Sequence, residues 1–322
     1  MNGADKSNRG YLLISPCRNE AEYMEKTLDS VVNQSVLPKK WIVVDDGSTD
    51  ATPQILEQYA NEYDFIEVVT RENRGFRAVG PGVIDAFYSG LDAISLEDFE
   101  FVCKLDLDLD LPPRYFEILI ERMDNNSRIG TCSGKAYFRD PKDPVHLVSE
   151  YCGDESSVGM TKFYRVSCFN QIGGFVRQVM WDGIDSHRCR LLGWISCSWD
   201  DPDLRFVHLR PMGSSQKSIF TGRVRHGFGQ YFMGTTFVYM VAVAVNRMTK
   251  YPYVLGAFAM LWGYLKSAIT RVERLDDPNM RKLLRAYQWR ALFVGKHRAT
   301  AELNDKQAAV WNPEAPGYEM PR

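Results

Sequence analysis

Through the first part of the chain, short continuous apolar runs alternate with segments whose apolar positions recur every three or four residues. Residues 11–15 read YLLIS, a run that predicts a buried strand. Residues 21–34 then place Met24, Leu28, Val31 and Val32 at helical spacing. WIVV at 41–44 predicts a second strand, and 52–63 a second helix with Pro53 in its first turn, where a missing N–H costs nothing. Residues 65–69 predict a third strand. A glycine-rich stretch at 75–82 leads to a helix at 83–94, a fourth strand at 99–105 and a helix at 113–123. Strands alternating with helices predict a parallel, doubly wound sheet.

After about residue 135 the alternation weakens. GMTKFYRVSCFNQIGGF at 159–175 has a strand-like middle and a Gly-Gly turn. WDGIDSHRCRLLGW at 181–194 predicts a helix stopped by Gly193. A strand is expected at 204–209, and GSSQKSIFTGRVRHG at 213–227 reads as a basic, glycine-punctuated, mobile loop. From Phe228 the character changes. Apolar runs at 237–245 and 251–265 are each followed by basic residues and fall short of the roughly 20 apolar residues a spanning helix needs. Basic and aromatic edges suit such helices to a membrane surface. They suit packing on the rest of the chain, or within an oligomer, equally well. The tail after Asn304 has several prolines and little periodicity, and is expected to be loosely held.

Composition narrows the class. The 322 residues are 45% hydrophobic and 25% charged, values of a globular chain with a full core. A net charge of −2 argues against a general nucleic-acid binder. Seven scattered cysteines without a CxxC pair exclude a zinc or disulfide framework and fit reduced thiols in a cytosolic environment. The opening MNGADKSNRG lacks the apolar stretch of a signal peptide.

In doubly wound sheets, ligands bind beyond the carboxyl ends of the strands. Three polar motifs fall at such ends: SPCRNE (15–20), DDGSTD (45–50) and DLDLD (106–110). Asp106, Asp108 and Asp110 lie two residues apart, and such a cluster repels itself unless a positive group sits in it. A calcium loop of the EF-hand type would also use Glu117, but Leu111 stands where the turn needs glycine and a strand precedes the motif. A Mg²⁺ or Mn²⁺ ion shared with a diphosphate needs few protein ligands and suits an Asp-x-Asp pair. The plain alternative is a solvated acidic turn. In DDGSTD, a carboxylate of Asp45 or Asp46 is suited to hydrogen bonds from a nucleobase or ribose.

VVDDGSTD and KLDLD in that order and spacing, behind SPCRNE, resemble the family 2 glycosyltransferases over roughly residues 10–235. The resemblance implies the A-type glycosyltransferase fold, an α/β doubly wound, mostly parallel sheet with a helical C-terminal extension. It places a nucleotide-sugar-binding catalytic domain at 1–235, and the apolar runs beyond it are expected to form a helical region at 236–322, membrane-associated or packed on protein. The implied activity is inverting, metal-dependent transfer of a sugar from a nucleoside-diphosphate donor.

The same resemblance assigns residues. Pro16, Arg18 and Glu20 match the first nucleotide-contacting segment. Asp46 matches the carboxylate that recognises the base, with Asp45 beside it, and Arg77 lies where the family contacts the donor. Asp106 matches the ribose-side acid and Asp108 the ligand of Mn²⁺ or Mg²⁺. Asp110 has no fixed role. His208 matches a late histidine that completes the metal shell, with His226 as competitor. Apart from the resemblance, the basic loop offers Lys217, Arg223 and Arg225, either to close over the donor diphosphate as basic lids do or as plain solvated charges. Counting back from Gly193–Trp194 makes Asp182 the catalytic base, with Trp181 in place of the family's glutamate and Asp185 structural. Processive relatives carry Gln-x-x-Arg-Trp, which this chain lacks, so one sugar is expected per encounter.

The expected partners are a UDP- or GDP-sugar and a lipid-linked acceptor, with no nucleic acid. Peripheral membrane contact, a homo-oligomer and a cytoplasmic location at the inner membrane face complete the expectation. The rival readings are a sugar nucleotidyltransferase and a non-catalytic sugar-binding assembly protein. The first would show a glycine-rich phosphate loop where SPCRNE stands, and intact Asp106, Asp108 and Asp182 weigh against the second.

Overall fold

The computed structural model describes residues 10–75, 80–140, 142–210, 219–249 and 252–318, the side chain of Pro144 excepted. Arg77 and Lys217 lie outside the described residues. Eleven strands run in chain order: β1 (Tyr11–Cys17), β2 (Lys40–Asp45), β3 (Ile66–Thr70), β4 (Phe101–Leu105), β5 (Leu109–Asp110), β6 (Ile129–Ser133), β7 (Lys135–Asp140), β8 (Asp143–Ser149), β9 (Thr161–Arg165), β10 (Ile195–Ser198) and β11 (Arg205–His208). The helices are α1 (Met24–Val32), α2 (Thr52–Glu62), α3 (Pro81–Leu91), α4 (Tyr115–Asn125), α5 (Val166–Gln171), α6 (Trp181–Leu191), α7 (Ile219–Met233), α8 (Phe237–Arg247), α9 (Tyr253–Ile269), α10 (Pro278–Val294) and α11 (Lys296–Gln307). The described residues divide into two compact units. The first draws on Met1–Ala78, Gly82–Asn170 and Ser196–Arg210, the second on Val79–Pro81, Gln171–Ile195 and Pro211–Arg322.

The first unit is built on a seven-stranded sheet in the order β10-β6-β9-β4-β1-β2-β3. β3, β2, β1 and β4 run parallel, while β9 runs antiparallel to β4 and β6. Central parallel strands are buried on both faces, and this explains their continuous apolar reading: Tyr11, Leu12, Leu13 and Ile14 are fully buried, as are Trp41, Val43 and Val44. Pro16 sits in β1 beyond the last residue paired with β4, so its missing N–H breaks no ladder there. A four-stranded sheet, β5-β11-β7-β8, lies alongside in the same unit.

The second unit is helical, and two sequence expectations are corrected in it. Residues from Ile219 onward are not a loop, since α7 runs unbroken to Met233 and carries Arg223, Arg225 and His226. Gly227 of α7 and Gly263 of α9 serve the close packing of these two helices. A Cβ on Gly227 would stand 1.9 Å from the carbonyl oxygen of Met260, and one on Gly263 would stand 2.0 Å from that of Val224. Glycine punctuation, which usually marks loops, here marks a helix crossing. Nor is the tail loose as far as Tyr318. Gln171 Nε2 donates to the carbonyls of Asn312 and Ala315, Tyr318 N donates to Gln171 O, and the Tyr318 hydroxyl donates to Asp277. Trp311 meets Trp194 edge-on at 5.6 Å.

Candidate active site

The first strand-end motif is laced to the second. Asn19 N donates to Ser48 Oγ (2.9 Å), Thr49 N donates to Asn19 Oδ1 (2.8 Å), and Glu20 N donates to Thr52 Oγ1 (2.9 Å). Asp45 Oδ1 accepts from Ser48 N at 2.9 Å and so closes its own turn. Gly47 takes φ +71°, and a Cβ there would lie 2.5 Å from Asn73 Cα. Only glycine lets the chain after β3 approach this closely. That approach delivers Arg71 and Arg74 to Asp46: Arg71 Nη1 lies 2.9 Å from Oδ1, and Arg74 pairs with Oδ2. Arg18 donates to the Asp46 carbonyl and to Asn73 Oδ1. Asp46 is thus held by two arginines from a segment that sequence reasoning left unassigned.

The aspartate motif meets the second sheet. β11 runs antiparallel to β5, pairing His208 with Leu109 and Val207 with Asp110, and Leu209 N donates to Asp108 O at 2.8 Å. This register brings both His208 and Arg210 to Asp108, whose side chain is 5% exposed. Arg210 Nε lies 2.6 Å from Asp108 Oδ2, and His208 Nε2 lies 3.3 Å from the same oxygen. The second nitrogen of the imidazole, Nδ1, faces Glu150 Oε1 at 3.0 Å. The arginine also reaches Glu20, Nη2 to Oε1, at 2.9 Å. Lys104, buried in β4, pairs with Asp106. Asp110 stands 3.8 Å from Arg139 and does not cap α4, whose N-cap residue is Arg114.

These contacts revise the electrostatic expectation. The positive groups demanded by the aspartates are supplied in large part by the chain: Lys104 for Asp106, and Arg210 with His208 for Asp108. Burial alone would depress the His208 pKa, but hydrogen bonds to Asp108 and Glu150 outweigh it and raise it to about 9. For Asp108, burial opposes the charged form. The His208 hydrogen bond and the Arg210 charge overcome it and hold the carboxyl below its ordinary range.

One atom is left over. Asp108 Oδ1 is buried and has no hydrogen-bond partner. A buried carboxylate oxygen without a hydrogen-bond donor is costly, and a bound cation would satisfy it. Among the described residues no group of three or more His, Cys, Asp or Glu side chains could hold a metal ion by itself. The residues therefore fit an ion that takes one or two protein ligands and completes its shell with phosphate and water.

Asp182 belongs to the second unit, in the first turn of α6, half-buried, where the helix dipole favours a carboxylate. Met180 before it takes φ +67°, and Trp181 stacks edge-on to Phe175 at 4.7 Å. The helix is anchored from its C-terminal half, where Arg188 Nε pairs with Asp277 Oδ2 at 3.1 Å, both buried. His226 sits on α7, where burial, followed by the charges of Arg247 and Arg223, lowers its pKa to about 4.

The sequence reading did not single out Arg210, Glu150, Arg71 or Arg74. Arg210 had a signal, since it lies two residues after His208 at a strand end, where alternate side chains share a face. Glu150 had none, because it reaches the site only through the β7–β8 pairing.

The sequence profile of Glycosyl transferase family 2 matches residues 13–189. The chain is 30% identical over 115 residues to the cholesterol galactosyltransferase of Borreliella burgdorferi, covering 36% of this chain and 29% of that one. It is 29% identical over 132 residues to the poly-beta-1,6-N-acetyl-D-glucosamine synthase of Staphylococcus epidermidis, covering 41% and 29%. The chain thus spans less than a third of the length of these two curated relatives. Among solved structures, the mannosyltransferase PcManGT of Pyrobaculum calidifontis, in complex with GDP-Man and Mn²⁺, superposes with a TM-score of 0.50 at 20% identity, over 95% of this chain and 88% of that one. The α/β architecture is that of the A-type glycosyltransferase fold. A match over more than half the chain, spanning all three strand-end motifs and reaching Asp182, makes this protein a member of glycosyl transferase family 2.

Proposed function

We propose that this glycosyltransferase is inverting and metal-dependent, moving one sugar per encounter from a UDP- or GDP-sugar to an acceptor hydroxyl. The observation that carries the reading is Asp108, gripped through Oδ2 by Arg210 and His208 with buried Oδ1 left without a partner. Asp108 is the proposed protein ligand of the ion, with His208 as the second once its ring leaves a carboxylate and gives up its proton. When bound, Mn²⁺ or Mg²⁺ acts as a Lewis acid on the leaving diphosphate. PcManGT, with its GDP-Man and Mn²⁺, supports this cofactor class.

The chain's own residues supply the rest. Arg71 and Arg74 fix the Asp46 carboxylate for base recognition, and Arg210 holds Glu20 and Asp108 in register. Asp182 is the proposed general base. It accepts the acceptor hydroxyl proton as that oxygen bonds to the anomeric carbon, while the bond from that carbon to the diphosphate oxygen breaks. Such assistance contributes roughly 10²–10⁴ in rate. Arg223, Lys217 and Arg77 are further proposed contacts to the donor.

The setting proposed is cell-surface polysaccharide or glycolipid assembly at the inner membrane face, on a lipid-linked acceptor. The polysaccharide synthase and the cholesterol galactosyltransferase among the relatives support it. Incubating the protein with Mn²⁺ and a panel of nucleotide sugars, and measuring free nucleoside diphosphate, tests the reading. Release stimulated by acceptor is expected. No release from any donor, with or without metal, contradicts it.

A further inference from the structure

α9 is apolar on two opposite faces. Gly256, Ala257, Met260, Gly263, Tyr264 and Ser267 are buried, against α7 among other neighbours, through the glycine crossing described above. Val254, Leu255, Phe258, Trp262, Leu265 and Ile269 are open to solvent, with between 38% and 73% of each exposed. At 3.6 residues per turn these six fall within an arc of about 100°. α8 adds Phe237, Val238 and Val245, all more than half or about half exposed. Single exposed apolar residues are ordinary, but a contiguous stripe of large ones marks an interaction site.

The charge around the stripe identifies what it meets. From residue 237 to residue 272, through α8 and α9, the chain carries Arg247, Lys250, Lys266 and Arg271, and not one Asp or Glu. Lys266 and Arg271 are exposed at the end of α9. A second copy meeting this face through itself would bring like charges together. An anionic lipid surface offers both an apolar phase for the stripe and negative headgroups for the cations. No helix among the described residues is long and apolar enough to cross a membrane. α9 has 17 residues and a length of about 25 Å, which suits a helix lying in the plane of the interface.

We infer that the exposed face of α9 seats this protein on an anionic membrane surface, with Phe258 and Trp262 inserted at the headgroup boundary. The inference deepens the membrane part of the proposed function but is read without catalysis, so vesicle binding and sugar transfer succeed or fail separately.

The experiment is co-sedimentation of the full chain with vesicles of neutral phosphatidylcholine, and with vesicles containing a third phosphatidylglycerol. Binding to the anionic vesicles is expected, weakened by salt. The double variant Phe258→Ser/Trp262→Ser should reduce partitioning by about tenfold, because both are exposed and their loss leaves the buried face intact. Lys266→Glu should weaken it less, and Tyr287→Phe, away from the stripe, should leave it unchanged. Equal pelleting with and without anionic lipid, or of wild type and the double variant, overturns the inference. So does a dimer in light scattering that the double variant converts to a monomer, since the stripe would then be a self-association surface.

Discussion

Arg210 and buried Asp108 form a largely enclosed pair, Nε to Oδ2 at 2.6 Å, at the point where the family resemblance places a metal ligand. The pair gives the acidic corner a positive partner before any ligand arrives. A divalent ion bound at Oδ1 without a donor would face the charge of Arg210 across one carboxylate, and like charges at such range repel. A diphosphate brings the compensating negative charge. Manganese titrated alone should therefore bind weakly, and at least tenfold more tightly with UDP or GDP present. Calorimetry on the purified protein checks this, and equal affinity in both conditions would show that the pair does not set the local charge.

Replacing Arg210 by alanine leaves Glu20 and Asp108 without their shared cation. Breaking a buried pair from one side is costly, so thermal unfolding should show a loss of about 2–4 kcal/mol. Arg210→Lys keeps the charge but cannot span both carboxylates with a fork, and should recover part of the stability. A lysine variant no more stable than the alanine one would mean packing over Tyr23, 5.6 Å away, matters more than charge.

His208 gives a pH signature. Its pKa is raised from 6.5 to about 9 by Asp108 and Glu150, against burial. The protonated form is therefore favoured in the folded state. The stabilisation is fully present below about pH 6.5 and is lost as pH rises through about 9. A shift of this size corresponds to roughly 3 kcal/mol. The unfolding midpoint, measured without metal, should fall between pH 6.5 and 9, and His208→Gln should flatten that slope. Parallel slopes in the two proteins would remove His208 from the account.

The crossing of α7 and α9 is set by backbone contact. Gly227→Ala and Gly263→Ala each place a methyl within 2.0 Å of a carbonyl oxygen. Overpacking typically costs about 1–3 kcal/mol, and here rigid backbone is what would have to move, so both variants should unfold at clearly lower denaturant than wild type. Gly75→Ala is a contrast, since a Cβ there meets nothing within 4 Å, although its φ of +77° carries strain.

Much of the fold was legible because parallel strands announce themselves. YLLIS, WIVV and the run before the aspartates are buried on both faces, so their apolar reading is continuous. The strand-end motifs were legible for the same reason: polar residues directly after such runs can only lie on the rim. Three things were not legible. Arg71, Arg74 and Glu150 reach the site through tertiary approach, two of them across Gly47, and no local pattern encodes that. The glycines after residue 218 point to a loop, because the sequence does not show whether a glycine serves a turn or a neighbouring helix. The prolines of the tail point to a loose segment, whereas side-chain bonds with Gln171 and Asp277 dock it.

The role proposed for Asp182 separates binding from chemistry. Asp182→Asn should keep donor affinity within a few fold and lower turnover by roughly 10²–10⁴. Lost nucleotide affinity in this variant would assign Asp182 to the donor.

The most direct measurement is the affinity for UDP and GDP with and without Mn²⁺, in wild type and in Asp108→Asn. The account predicts that metal tightens binding of one nucleotide in wild type and has no such effect in the variant, while metal-free binding through the Asp46 side survives in both. Metal enhancement undiminished in Asp108→Asn would place the ion elsewhere and contradict the role given to this corner.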